Sequence, residues 1–165
     1  MFKRILVPLD GSPLAERALA HAEELAGVLG ASIHVVRIID AAAFERYTAY
    51  GVAPIASEGL LTDEEAQSET YLQEIQRNMT GRGFHVTTER RHGNVVGELV
   101  AAIREGDLVV MASHGRGGLT RVFLGSVAEE LMRRSPVPVM LVRSDHAAPR
   151  RYPTHREVRS VLAAS

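Results

Sequence analysis

Cysteine is absent from this chain of 165 residues. That absence excludes disulfide bonds, thiolate catalysis and zinc sites built on cysteine. The seven histidines form no closely spaced pair of the HxH or HxxxH kind, so the sequence does not indicate a metal site held by protein side chains. The classes of protein that depend on cysteine chemistry or on such a metal centre are therefore not expected.

An excess of charge and a long apolar run are also missing. Lysine and arginine number 19 against 20 acidic residues, which leaves a net charge of −1 and no global field to attract nucleic acid or an anionic membrane. No apolar run approaches the roughly 18–20 residues that a membrane span needs. The first residues enter a strand pattern directly and lack the shape of a signal peptide. We expect a cytoplasmic protein with neither nucleic acid nor a membrane as partner.

Short apolar runs alternate regularly with amphipathic helical patterns along the chain. The predicted strands cover residues 5–9, 33–39, 84–89, 108–111 and 138–142. The predicted helices begin at Pro13, after an N-cap at Ser12, then at Asp63, after Gly93-Asn94 and at Ser126. Such alternation predicts an α/β fold, with a parallel sheet covered by helices on both faces. A long excursion over residues 41–61 and a polar, basic tail over residues 144–165 interrupt this pattern.

A glycine-rich loop follows the fourth predicted strand. Gly115 opens it, and Gly125 with Ser126 leads into the last helix. Glycines allow the backbone to approach an anion closely, and the free N–H groups of a helix N-terminus point at it, so the pattern favours phosphate binding. The plainer alternative is an ordinary connection from strand to helix in which Ser126 is the N-cap.

Three side chains could complete such a site. Asp10, just after the first strand, could accept hydrogen bonds from ribose hydroxyls, or it could be an ordinary turn residue. Arg116 could offset phosphate charge. His114 could contact phosphate, or it could make a structural hydrogen bond within the loop. In such sheets ligands bind beyond the carboxyl ends of the strands, so Asp10 and the glycine-rich loop converge if strands one and four are neighbours.

The chain resembles the universal stress protein family over roughly residues 1–143. The resemblance depends on four segments taken in order: RILVPLDGS at residues 4–12, MASHGRGG at 111–118, LGSV at 124–127 and PVPVMLVR at 136–143. It implies one domain over residues 1–143, followed by the tail over residues 144–165. It also implies an open five-stranded parallel sheet of the Rossmann-like, adenine nucleotide alpha hydrolase-like kind, with strand order 3-2-1-4-5.

The family's ATP-binding branch carries a glycine, two residues, a second glycine, nine residues, a third glycine, and then serine or threonine. Gly115, Gly125 and Ser126 match the last three elements, and Ala112 stands where the first glycine is expected. The resemblance therefore implies ATP as the cofactor, with Mg²⁺ or Mn²⁺ held by its phosphates. The residues expected to bind it are Pro8, Asp10, Ile38, Met111, Ala112, His114, Gly115, Arg116, Gly125, Ser126 and Val127.

Each part of the nucleotide has its expected contacts under this resemblance. Asp10 and Ala112 should approach the ribose, and the backbone around Ile38 should meet the adenine. Gly115 and the residues 125–127 should hold the phosphates. The resemblance also implies a homodimer formed by antiparallel pairing of the last strand, from Pro138 to Val142, which would cover an otherwise exposed sheet edge.

We therefore expect a dimeric, nucleotide-dependent sensor or regulator of the stress response, with a protein partner that the sequence does not identify. No catalytic residue is assigned, because neither a Walker lysine nor a clear general base is visible. Slow ATP hydrolysis is one alternative. Another is a protein-interaction module of the same fold that binds no nucleotide.

Overall fold

The computed structural model describes residues 1–40, 54–113 and 125–143, and for residues 54–62 it describes the backbone alone. Within these ranges nine elements follow one another along the chain. The strands are β1 (Arg4–Pro8), β2 (Ser32–Asp40), β3 (Val86–Gly93), β4 (Asp107–Ser113) and β5 (Val139–Arg143). The helices are α1 (Arg17–Leu29), α2 (Pro54–Gly81), α3 (Val95–Ala102) and α4 (Ser126–Arg134).

The five strands form one parallel sheet in the order β3-β2-β1-β4-β5, which confirms the expected order and fold class. The central strand β1 pairs with β2 from Arg4↔Ser32 to Pro8↔Val36, and with β4 from Arg4↔Asp107 to Leu6↔Val109. The order reverses direction at β1 and β4. The carboxyl ends of these two strands therefore border the crevice in which ligands of such sheets bind.

The central strand β1 is buried on both faces of the sheet, since its successive side chains point to opposite faces and each meets a helical layer. Ile5 and Val7 belong to the core beneath α1 and α2, whereas Leu6 belongs to the core beneath α3 and α4, and all three are fully buried. Two helical layers with separate apolar cores thus enclose the sheet, as the continuous apolar runs of its central strands predict.

Two helix starts differ from the prediction. Helix α1 begins at Arg17 instead of Pro13, because residues 12–16 form turns in which the Ala18 and Leu19 N–H groups bond three residues back. Helix α2 begins at Pro54 instead of Asp63, so the excursion predicted over residues 41–61 is helical from residue 54 onward. Gly59 suggested a break, but one glycine in a long helix costs only about 1 kcal/mol. Residues 41–53 lie outside the described part.

Strand β3 also extends beyond its predicted end at Glu89. It continues to Gly93, and the pairing with β2 runs from Ile33↔Val86 to Asp40↔Gly93. The polar run over residues 90–92 concealed this extension, since an edge strand tolerates polar side chains on both faces. The predicted bounds of α4, in contrast, are confirmed at both ends, at Ser126 and Arg134.

Candidate functional site

A cleft of about 320 Å³ opens at the carboxyl edge of the sheet, where β1 and β4 end. This volume lies within the range of sites for small molecules and cofactors. Its walls combine the ends of three strands with α3, the start of α4 and the turn after β1. The lining residues are Pro8, Leu9, Asp10, Ala15, Val36, Ile38, Val95, Leu99, Met111, Ala112, Gly125, Ser126, Val127 and Ala128.

The structure brings eight of the residues expected from the sequence into this one cleft. They come from four separate parts of the chain: Pro8, Asp10, Ile38, Met111, Ala112, Gly125, Ser126 and Val127. The other three, His114, Gly115 and Arg116, lie outside the described residues, as does the tail over residues 144–165. The convergence that was conditional on strands one and four being neighbours is therefore present for every described member of the set.

Asp10 lies at the lip of the cleft, where β1 leaves the sheet. Leu9 makes the last backbone bond to β2, from its N–H to the Val36 carbonyl at 2.9 Å. The chain then turns, and Asp10 Oδ1 accepts a hydrogen bond of 2.8 Å from the Ser12 N–H. Asp10 is thus a turn residue, as the plainer alternative held. It is also exposed at the cleft, so the turn holds its carboxylate at the rim without burying it.

The interior of the cleft is apolar and carries one strand backbone along its wall. Val36 and Ile38 line it from β2, and Val95 and Leu99 line it from α3. In a parallel strand alternate residues direct both backbone groups to the same neighbour. Val36 directs its carbonyl to Leu9, so Ile38, two residues on, directs its N–H and C=O toward the same side. Strand β1 no longer lies beside β2 at Ile38, since the pairing of these two strands ends at Pro8↔Val36.

The opposite wall is the N-terminus of α4. Gly125, with φ of 70°, is the N-cap, and because glycine has no side chain it makes no capping hydrogen bond to the helix. The alternative in which Ser126 caps the helix is therefore wrong, because Ser126 is already the first helical residue. The first N–H groups of a helix are not bonded within the helix and carry partial positive charge, so this wall suits an anion.

Sequence reasoning missed the apolar part of the lining. Val95 and Leu99 belong to the apolar stripe with which α3 packs against the core, but part of the same stripe also faces the cleft. Val36 could have been found, since it shares a strand face with Ile38, two residues away. The α3 residues gave no comparable signal, because helical periodicity does not distinguish a cleft wall from a core.

Metal and membrane features add nothing to the site. Within the ranges that the structure describes, no group of three or more histidine, aspartate or glutamate side chains is arranged to hold a metal ion. Over the same ranges, no helix combines the length and apolar character needed to cross a lipid bilayer.

Comparison with known proteins places the chain among proteins of one kind. The model of the universal stress protein family matches residues 1–143. A universal stress protein of Methanocaldococcus jannaschii is 32% identical over 145 residues, which cover 87% of this chain and 83% of that protein.

Solved structures give the same answer for the fold. The universal stress protein UspA from Lactobacillus plantarum is 23% identical, with a TM-score of 0.70, over 86% of this chain and 98% of that one. A universal stress protein solved in complex with cAMP is 21% identical, with a TM-score of 0.61, over 87% of this chain and 98% of that one.

Proposed function

This chain belongs to the universal stress protein family, and we propose on that premise that it binds ATP in the cleft at the carboxyl edge of its sheet. One observation carries the proposal. The backbone N–H and C=O of Ile38 face an apolar cleft where their neighbouring strand has ended. The N1 and N6 atoms of adenine offer an acceptor beside a donor, which matches an adjacent N–H and C=O.

The two walls of the cleft offer contacts for the ribose and the phosphates of the nucleotide. Asp10 at the lip is placed to accept hydrogen bonds from ribose hydroxyls, and the methyl group of Ala112 lines the same cleft. The start of α4 at Gly125, Ser126 and Val127 would supply backbone donors for phosphate oxygens. We propose that Pro8 and Met111 shape the space between the two walls of the cleft. We also propose that His114, Gly115 and Arg116 complete the phosphate-binding side.

The cation fits the same arrangement. The cleft brings few carboxylates together, so Mg²⁺ or Mn²⁺ would be held by phosphate oxygens and would offset their charge. Universal stress proteins of this fold include one solved in complex with cAMP, which shows that the architecture accommodates an adenine nucleotide in that protein. We assign no catalytic residue, and slow hydrolysis remains outside the proposal.

We further propose that two copies pair through β5. This strand ends the sheet, and Met140 on it is 36% exposed, so pairing would cover both an open edge and an apolar side chain. We also propose that the paired protein acts as a nucleotide-dependent regulator in the cytoplasm. Light scattering at micromolar concentration is expected to give the mass of two chains, and the mass of one chain would contradict the pairing.

Calorimetry with the full chain tests the nucleotide proposal. Titration with ATP and magnesium is expected to give saturable heat. GTP should bind at least about tenfold more weakly, because its N1–H and O6 would leave the Ile38 backbone groups mismatched. Mass spectrometry of ligand released from the purified protein gives an independent reading of what occupies the cleft.

Absence of both heat and a thermal shift with ATP would contradict the proposal and favour a protein-interaction module without nucleotide. Equal affinity for ATP and GTP would contradict the adenine contact at Ile38 while leaving the phosphate contacts in place. A protein that releases a different small molecule would assign the cleft to that molecule instead.

A further inference from the structure

The turn that presents Asp10 is supported from beneath by a side chain that the nucleotide would never touch. Gly11, next to Asp10, has φ of +84°, and a Cβ atom built on it would lie 3.3 Å from Arg37 Nη1 and 3.5 Å from Arg37 Cζ. The guanidinium group of Arg37 therefore packs directly against the backbone of the turn. A side chain at residue 11 would press on that group and would also be strained by the positive φ.

Arg37 occupies the face of β2 opposite the cleft. Val36 and Ile38 line the cleft, so the alternation of a strand turns Arg37 toward the layer formed by α1 and α2. Arg37 thus reaches the Asp10 turn around the carboxyl edge of the sheet, and it does so without contributing to the cleft wall.

The guanidinium group is itself held in place. Its Cζ atom lies 5.4 Å from the centre of the Tyr71 ring, within the range of a cation–π contact. The Tyr71 hydroxyl is buried near Glu16, and it has no partner among the described residues at the distance and angle of a hydrogen bond. Burial, together with the nearby Glu16, raises the pKa of Tyr71, so the ring remains neutral beneath the cation at any physiological pH.

We infer that Arg37 is a positioning residue for ribose recognition: packed between the Tyr71 ring and Gly11, it fixes the turn that points the Asp10 carboxylate at the cleft. The inference rests on the proposed binding of ATP. Without Arg37 the turn loses the group that fills the space beneath Gly11, and a glycine at positive φ has wide backbone freedom. Asp10 is the charged side chain that this turn presents to the cleft, so base and phosphate contacts, which come from β2 and α4, should change little.

Calorimetry with ATP and with 2′,3′-dideoxy-ATP, which lacks both ribose hydroxyls, isolates this contribution. We expect the wild-type chain to bind ATP about tenfold more tightly than the dideoxy analogue, through hydrogen bonds to a charged acceptor. In Arg37→Met the affinity for ATP should fall to that for the analogue, whereas the affinity for the analogue should change less than about twofold.

Arg77→Met is the matched control, since it removes an exposed arginine of α2 far from the turn and should leave the ratio near tenfold. Tyr71→Leu removes the ring beneath the guanidinium group and should lower the ratio as Arg37→Met does. Tyr71→Phe keeps the ring and should retain most of the ratio. This pair keeps the inference testable if Arg37→Met does not fold.

Equal weakening of both ligands in Arg37→Met would overturn the inference, because it would show a general structural role. An unchanged ratio in Arg37→Met or Tyr71→Leu would overturn it too, as would a wild-type chain that does not distinguish the two ligands. A wild-type chain that binds neither ligand contradicts the proposed function itself, so the two failures are distinguishable.

Discussion

Arg4 and Asp107, at the amino edge of the sheet, satisfy each other, whereas Asp10, at the carboxyl edge, borders an open cleft. Arg4 and Asp107 begin the adjacent strands β1 and β4 and are paired in register. Arg4 donates through Nε and Nη2 to the two carboxylate oxygens of Asp107 at 2.9 and 2.6 Å, and Nη2 also donates to the Ala102 carbonyl at 2.9 Å. The Arg104 N–H donates to Asp107 Oδ2 at 2.8 Å.

Asp10 offers the contrasting case of an aspartate at the other end of β1. Asp107 is 2% exposed and accepts hydrogen bonds at both oxygens, whereas Asp10 is exposed and accepts one described hydrogen bond, from its own turn. The same type of side chain thus stabilises the fold at one edge, as Asp107, and borders a cleft at the other, as Asp10. The comparison shows that Asp107 stabilises the fold, while Asp10 is available to a ligand.

Asp107→Ala should have the largest effect on stability. It removes both carboxylate acceptors of the Arg4 guanidinium group, whose side chain is 13% exposed, and leaves this almost buried charge with the Ala102 carbonyl but without its ionic partner. Loss of one member of a buried pair costs about 3–5 kcal/mol. Unfolding in urea should therefore show a fall of that size in the free energy of unfolding.

Asp10→Ala is the control for this prediction. It removes one exposed hydrogen bond, so the free energy of unfolding should change by about 1 kcal/mol or less. Similar losses in the two variants would erase the distinction between the two edges of the sheet.

Gly125→Val should have the next largest effect, on ligand binding. A branched side chain would stand where the N-terminus of α4 meets the cleft, so ATP affinity should fall at least about a hundredfold, or about 2.7 kcal/mol. The φ of 70° at this residue also adds backbone strain of about 1–3 kcal/mol, which a urea unfolding curve would measure separately. Calorimetry with ATP and magnesium gives the affinity.

Gly83→Val separates the two effects. Gly83 has φ of +92°, and a Cβ atom there would meet nothing within 4 Å, so the variant carries similar backbone strain away from the cleft. It should lose stability and retain ATP binding. If Gly125→Val binds ATP as tightly as Gly83→Val does, the helix start is not the phosphate wall.

Sequence reasoning reached the fold and the cleft for a physical reason. Continuous apolar runs such as residues 5–9 reveal strands buried on both faces, and the resemblance supplied their order. A parallel sheet of that order brings the carboxyl ends of β1 and β4 together, so Asp10 and Gly125 could be placed near each other without coordinates.

Contacts between distant parts of the chain could not be predicted in the same way. Arg4 and Asp107 are 103 residues apart in the sequence. The contact of Arg37 with Gly11 depends on the point at which the chain turns away from the sheet after β1. Periodicity describes only the element that carries it, so it identifies a buried face but not the partner of a charged group. The early start of α2 was missed for a related reason, since Gly59 weakens a helix without ending it.

The pH dependence of stability should show the smallest effect, and it tests another polar group near the amino edge of the sheet. His34, near the amino end of β2, is 6% exposed, with Nδ1 2.8 Å from Thr87 Oγ1 and Nε2 3.0 Å from Glu89 Oε2. Burial lowers the pKa of His34, and the charge of Arg4 lowers it further, against the opposing effect of Glu89.

Because the pKa of His34 is lower in the folded protein than in the unfolded chain, the unfolded chain binds more protons as the pH falls below about 6.5. Stability contributed by this residue is therefore complete above neutral pH and is lost on acidification, by less than about 1.4 kcal/mol per pH unit. Urea unfolding at pH 7.5, 6.5 and 5.5 should show this slope in the wild-type chain and a flatter one in His34→Gln. Parallel slopes in the two chains would contradict this prediction, because they would mean that His34 binds protons equally in the folded and unfolded states.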